Sequence, residues 1–306
     1  MSSTTTSPSF RKPPFGNMPS VTNVPMALLL LFCLFAFFVL LTPLFTGLLG
    51  KICHKPEAVL RIAMIMQDIF VFILPAIVTA LLCTRMPARL LAVDERPDMR
   101  YVILSLAGLI VSIPAMNALI LWNENLHFPE SLQGVEQMAR NLEENAKAVT
   151  DSLMAGATIP SLIVSVMIVG VFAGFSEELF FRGALQRLLG CTMMNRHAVI
   201  WLVAVIFSLF HFQFFGFFPR MILGAYFGYL LLWTRSLWIP VIVHVFNNSM
   251  VVISTWQSLN NDGAMSNLDS IGVDDGPNLL ITGISLILTF CVLRCIRHLS
   301  QKRQIN

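Results

Sequence analysis

The stretch Phe175-Ser176-Glu177-Glu178-Leu179-Phe180-Phe181-Arg182 sets two adjacent carboxylates and an arginine in an otherwise apolar run. A charge at bilayer depth costs on the order of 3 kcal/mol even on the lenient insertion scale, so such groups are read first as functional. Two later apolar runs carry Phe207-Ser208-Leu209-Phe210-His211 and His244-Val245-Phe246-Asn247-Asn248. A glutamate, two histidines and a carboxamide are the groups that acid–base hydrolysis uses to move protons and to steady a developing oxyanion.

Helical spacing sorts these residues. Glu178 and Arg182 are four apart, share a face, and follow the favourable acid-before-base order, so this carboxylate is neutralised within its own helix. Glu177 points about 100° away and finds only Phe181 and Ala173 one turn on either side. A carboxylate without a local cation in a low-dielectric site suits a general base. His244 and Asn248, also four apart, present an imidazole and an amide on one face, an arrangement suited to an oxyanion; Asn247 is a geometric alternative.

The elements that must position these groups are membrane helices. The chain is 56% hydrophobic and only 12% charged, which excludes an ordinary water-soluble globule. Reading runs of about 20 apolar residues as spans places helices near 26–49, 57–83, 101–122, 158–188, 197–215, 217–234, 238–256 and 278–296. The expected fold is an all-α polytopic membrane protein, a bundle of about eight transmembrane helices with an additional extramembrane amphipathic helix. Asp68 in the second span reads as a packing hydrogen bond, and Pro75 and Pro114 as kinks rather than ends.

Basic residues concentrate in the N-terminal tail (Arg11, Lys12), the second loop (Arg85, Arg89, Arg96, Arg100), the fourth and sixth loops and the C-terminus. The third and seventh loops are acidic. Both termini are therefore expected in the cytoplasm, in a multi-pass protein of the cell membrane. Residues 1–25 read as a disordered cytoplasmic tail rather than a cleaved signal peptide. Residues 26–125 hold the first three spans, and 126–154 an extracytoplasmic helix with Leu132, Val135, Met138, Leu142, Ala146, Val149 and Leu153 at steps of three or four. Residues 155–256 form the catalytic core, 257–277 an acidic extracytoplasmic loop, and 278–306 the last span with a basic tail. The phenylalanines at 210, 212, 214, 215, 217 and 218 read as lipid-facing, with a substrate groove as the alternative. The six cysteines are scattered and form no thiolate metal site. The slight net charge, with bases that follow membrane topology, argues against nucleic acid.

Depth imposes a condition. Glu177 and His211 each lie roughly 20 Å from the turn at 190–196, whereas His244 lies about 9 Å from its own turn. The three meet only if the first hairpin projects about 10 Å beyond the turn between the sixth and seventh spans.

E-E-x-x-x-R at 177–182, F-x-x-x-H at 207–211 and H-x-x-x-N at 244–248, in this order on successive apolar segments, resemble the three motifs of the CAAX protease and bacteriocin-processing family, which includes the type II CAAX prenyl endopeptidases. The resemblance implies a glutamate-dependent intramembrane endopeptidase without a cofactor. Glu177 would activate water, His211 assist proton transfer, and His244 with Asn248 form the oxyanion site; Glu178 and Arg182 would be structural. The substrate would be a membrane-associated peptide or lipidated protein tail. The alternatives are a zinc-assisted protease using the same residues and a non-catalytic membrane scaffold or immunity protein.

Overall fold

The computed structural model describes residues 20–21, 23–154, 157–192, 194–261, 268–273 and 276–305. Most of the expected tail, and Asp262, Asp274 and Asp275 of the acidic loop, lie outside the described residues. The protein is an all-α polytopic membrane protein. Its main helices are α1 (Val24–Ile52), α2 (Pro56–Cys83), α3 (Met99–Val111), α4 (Ile113–Glu124), α5 (Gln133–Leu153), α6 (Ile159–Gly190), α7 (Arg196–Leu209), α8 (Phe217–Thr234), α9 (Trp238–Asn260) and α10 (Leu279–Ile305).

Among the described residues, 6 helices are long and apolar enough to cross a membrane, and α3 with α4, bent by 47°, makes a seventh if counted as one span. Pro114 accounts for that bend, because its ring lacks an N–H and crowds the preceding turn. By contrast, α2 continues through Pro75 after a π-helical turn at Asp68–Ile73. The fifth expected span is present as α7 but is shorter, ending at Leu209 rather than near 215. There the chain turns, Phe212 takes a left-handed φ of 53°, and Ser208 Oγ donates to Phe217 O at 2.6 Å. This turn carries His211.

The central element is α6, whose second half is buried all round: Phe180, Phe181, Leu185 and Leu188 sit beside Glu178, Arg182 and Gln186. The helices α7 and α8 approach closely because Gly224 and Gly228 on α8 form a G-x-x-x-G face. A Cβ at Gly224 would lie 3.3 Å from Ala204 Cα, and one at Gly228 2.9 Å from Ile200 Cγ2 and 2.8 Å from Gln186 Oε1. The bare face also exposes two carbonyls to α6: Arg182 Nη2 donates to Gly224 O at 2.9 Å and Gln186 Nε2 to Gly228 O at 3.1 Å.

The phenylalanines after α7 correct the expectation that all of them face lipid. Phe210 packs inward on Phe35 and Phe181, with centroids at 4.8 and 5.7 Å, and Phe215 is buried beneath the Arg140 guanidinium at 4.3 Å. Phe212 alone is fully outward, 70% exposed.

The amphipathic helix α5 is turned with its polar face towards the protein. Glu136 accepts from Arg140 at 2.7 Å and from Phe128 N at 2.9 Å, contacts that hold its carboxyl down at about 2. Glu143 Oε2 accepts from Phe215 N at 3.3 Å. The apolar residues Leu132, Val135, Met138, Leu142 and Val149 are exposed, and of the expected stripe only Leu153 is buried. An outward apolar stripe on a helix tethered at both ends to membrane spans is the face that a lipid interface takes up.

Two outcomes are expected. Gly228→Ala should lower stability in detergent by about 1–3 kcal/mol through overpacking, while Gly283→Ala, whose Cβ meets nothing within 4 Å, should leave the melting midpoint unchanged. A nitroxide at position 138 on a cysteine-free background should collide more with dissolved oxygen than with a polar nickel chelate; the reverse ratio would place α5 in water.

Candidate active site

The three motif segments come from α6, the turn after α7, and α9. In α6, Glu177 and Glu178 occupy an α-helical stretch, Gly174–Glu178, between two π-helical ones, Val166–Ala173 and Leu179–Gln186. Such wide turns recur at functional sites because they redirect side chains within an otherwise straight helix. The helix α9 runs antiparallel to α6, with Val245 against Gly174 and Ser249 against Gly170.

This pairing brings His244 onto both glutamates. Its Nδ1 donates to Glu178 Oε1 at 2.8 Å, and its Nε2 faces Glu177 Oε2 at 3.8 Å, beyond hydrogen-bonding distance. Glu178 Oε1 also accepts from Arg182 Nη1 at 2.5 Å. Glu178 and Arg182 are both fully buried. Rings enclose both side chains: Arg182 lies 4.4 Å from the Phe207 centroid, and the Phe227 ring stacks on His244 at 4.7 Å. Aromatic faces stabilise positive charge where water cannot.

Glu177 is oriented differently, as the spacing predicts. Its Oε2 is buried and accepts no hydrogen bond from the protein. The ionisable groups that act on it come from several elements: Arg182 on α6, Arg220 on α8, His211 in the turn, and Asp68 on α2. His211 donates through Nδ1 to Phe207 O at 2.9 Å, which leaves Nε2 as an acceptor in the neutral ring.

Asn248 lies on the same face as His244, but one of its amide protons is engaged with Val169 O at 3.2 Å. Its Oδ1 accepts from Asn247 at 3.3 Å, so Asn247 supports Asn248 rather than replacing it. One N–H of Asn248 is left over from these contacts.

The depth condition is met by a step in the fold. Leu237, at the start of α9, lies against Gly183, so the α6–α7 hairpin runs about seven residues further, roughly 10 Å, to Gly190. The 85–98 loop fills the step: Ala92 O accepts from Leu237 N, Val93 O from Trp238 Nε1 and Glu95 O from Ser236 Oγ.

Residues 159–250 match the family described as type II CAAX prenyl endopeptidase Rce1-like. The resemblance read from the three motifs is thus borne out over this segment, which is under a third of the chain. No curated protein and no solved structure matches. The Rce1-like segment implies a CAAX-type intramembrane protease in general, a hydrolase acting on peptide within a bilayer. Among the described residues, no three His, Cys, Asp or Glu side chains are grouped so as to hold a metal ion.

The sequence reading assigned no role near this site to Asp68, Phe227 or the two α8 glycines. The G-x-x-x-G spacing was available as a signal; no local spacing links Asp68 on α2 to Glu177 on α6.

Arg182→Met should cost about 3–5 kcal/mol by leaving Glu178 in the core without its guanidinium partner. Adding Glu178→Gln, whose Oε1 still accepts from His244, should restore most of that loss. Unfolding in mild detergent measures both.

Proposed function

We propose that this protein is an intramembrane endopeptidase of glutamic type, in which Glu177 activates the water that attacks a peptide carbonyl. The observation that carries this reading is the pair of adjacent carboxylates in opposite states. Glu178 Oε1 accepts from Arg182 and His244, whereas among the described residues neither oxygen of Glu177 accepts a hydrogen bond; Oε2 is buried without a partner on both residues.

In this reading water donates a proton to Glu177 Oε2 as its oxygen bonds to the scissile carbon. His211, with Nδ1 fixed on a backbone carbonyl, takes part through Nε2 in carrying that proton to the departing amine. The carbonyl oxygen gains charge and is met by His244 Nε2–H and the remaining Asn248 N–H. Glu178 supports this donor by holding Nδ1, which orients the ring and directs Nε2 away from that carboxylate. Collapse of the tetrahedral intermediate breaks the C–N bond, the amine leaves with the transferred proton, and the acyl side leaves as a carboxylate.

The substrate is a membrane-associated peptide or lipidated protein tail, and the reaction is metal-independent. The distribution of Lys and Arg favours both termini in the cytoplasm.

The test compares peptide termini in cells expressing the wild type or Glu177→Gln at matched abundance. Products that require Glu177 support the protease and name its target, and loss of a general base should slow turnover about 10²–10⁴-fold. Identical termini would overturn the reading. Activity abolished by a chelator and restored by zinc would replace it with metal-assisted hydrolysis.

A further inference from the structure

Asp68 lies outside the family match, on a span that otherwise anchors the bundle. It is 5% exposed, and among the described residues its polar contact is with Ser176, the residue preceding Glu177. Ser176 Oγ lies 2.9 Å from Asp68 Oδ1 and 3.0 Å from Ala173 O. A hydroxyl has one proton. If Asp68 is ionised, that proton serves either the carboxylate or the carbonyl, and the other acceptor goes without it. Both contacts are satisfied when Asp68 carries a proton of its own, donates it to Ser176 Oγ, and Ser176 donates to Ala173 O.

The charges around the pair favour the same distribution. Glu177 feels the guanidinium groups of Arg182 and Arg220, with His244 Nε2 at 3.8 Å and the neutral His211 ring also acting on it, whereas Asp68 meets Ser176 and the negative charge of Glu177. Two carboxyls in one low-dielectric site do not both ionise readily, and the one beside the cations is the one that does.

We propose that Asp68 is a positioning residue that holds a proton beside Glu177, so that the two carboxyls carry one negative charge and Glu177 is the ionised member. The role in turnover rests on the protease reading; the location of the proton does not. With Asp68 neutral, Glu177 remains a base, and no second carboxylate opposes the developing oxyanion. No bond to substrate is assigned to Asp68.

Asp68→Asn supplies a neutral donor of nearly the same shape, able to donate to Ser176 Oγ. Plateau kcat/KM should therefore stay within about threefold of wild type. The alkaline limb of the pH profile should vanish or move up by about one pH unit or more, with the acid limb unmoved. An acid limb displaced to lower pH would mean that Asp68 is ionised in the working enzyme, and a superimposable profile would mean a packing role; either overturns the proposal. Infrared difference spectra of the purified protein read the proton without turnover. Near neutral pH, a protonated-carboxyl C=O band present in wild type and in Glu177→Gln and absent from Asp68→Asn is expected. If no such band is lost in Asp68→Asn the proposal falls, whatever becomes of the protease assay.

Discussion

A single carboxylate oxygen, Glu178 Oε1, accepts from both Arg182 and His244 in a place that water does not reach. Removing these charges from water costs several kcal/mol for each ion, and mutual attraction offsets that only when the remaining donors are also engaged. The surrounding fold supplies part of those engagements and leaves Arg182 Nε and Glu178 Oε2 buried without a partner. The second guanidinium nitrogen reaches Gly224 O, which is accessible because no side chain covers that turn of α8. The rings of Phe207 and Phe227 close over Arg182 and His244. The α7–α8 contact, the G-x-x-x-G face and the orientation of His244 all follow from neutralising this one group.

The neighbouring carboxylate follows from the same geometry with the opposite result. Consecutive helical residues diverge by about 100°, so a helix that turns Glu178 onto Arg182 turns Glu177 away from any intrahelical cation. Environments that separate two like groups are how one site obtains both a fixed charge and a working base. The imidazole between them is asymmetric for that reason: Nδ1 is tied to the committed carboxylate, and Nε2 is directed towards the free one.

Interactions set by local spacing were legible in the sequence. The Glu178–Arg182 pair, the separate face of Glu177, the common face of His244 and Asn248, and the 10 Å step all follow from 3.6 residues per turn and 1.5 Å per residue. Features set by how helices roll against one another were less so. The apolar stripe of α5 was readable from period, but its outward direction depends on Glu136, Arg140 and Glu143 finding partners in the 127–128 and 214–216 segments. The length of α7 was overread because Phe210 to Phe218 is dominated by phenylalanine, with only His211 and Gln213 polar, although the chain reverses there. Hydropathy reports burial or lipid contact and does not report direction.

Residues outside the matched segment also shape the site. At the start of α9, Leu237 N, Ser236 Oγ and Trp238 Nε1 need acceptors in a setting with little water, and the 85–98 loop provides them through three carbonyls. Without that loop the turn would have unsatisfied donors and no reason to stop at the level of Gly183, and His244 would lose the depth that meets Glu177. On the opposite side, α2 brings Asp68 to the residue next to Glu177. The segment matched to the family thus carries the acid, the base, the donors and the cations around them, while their height depends on the 85–98 loop and one further carboxyl comes from α2.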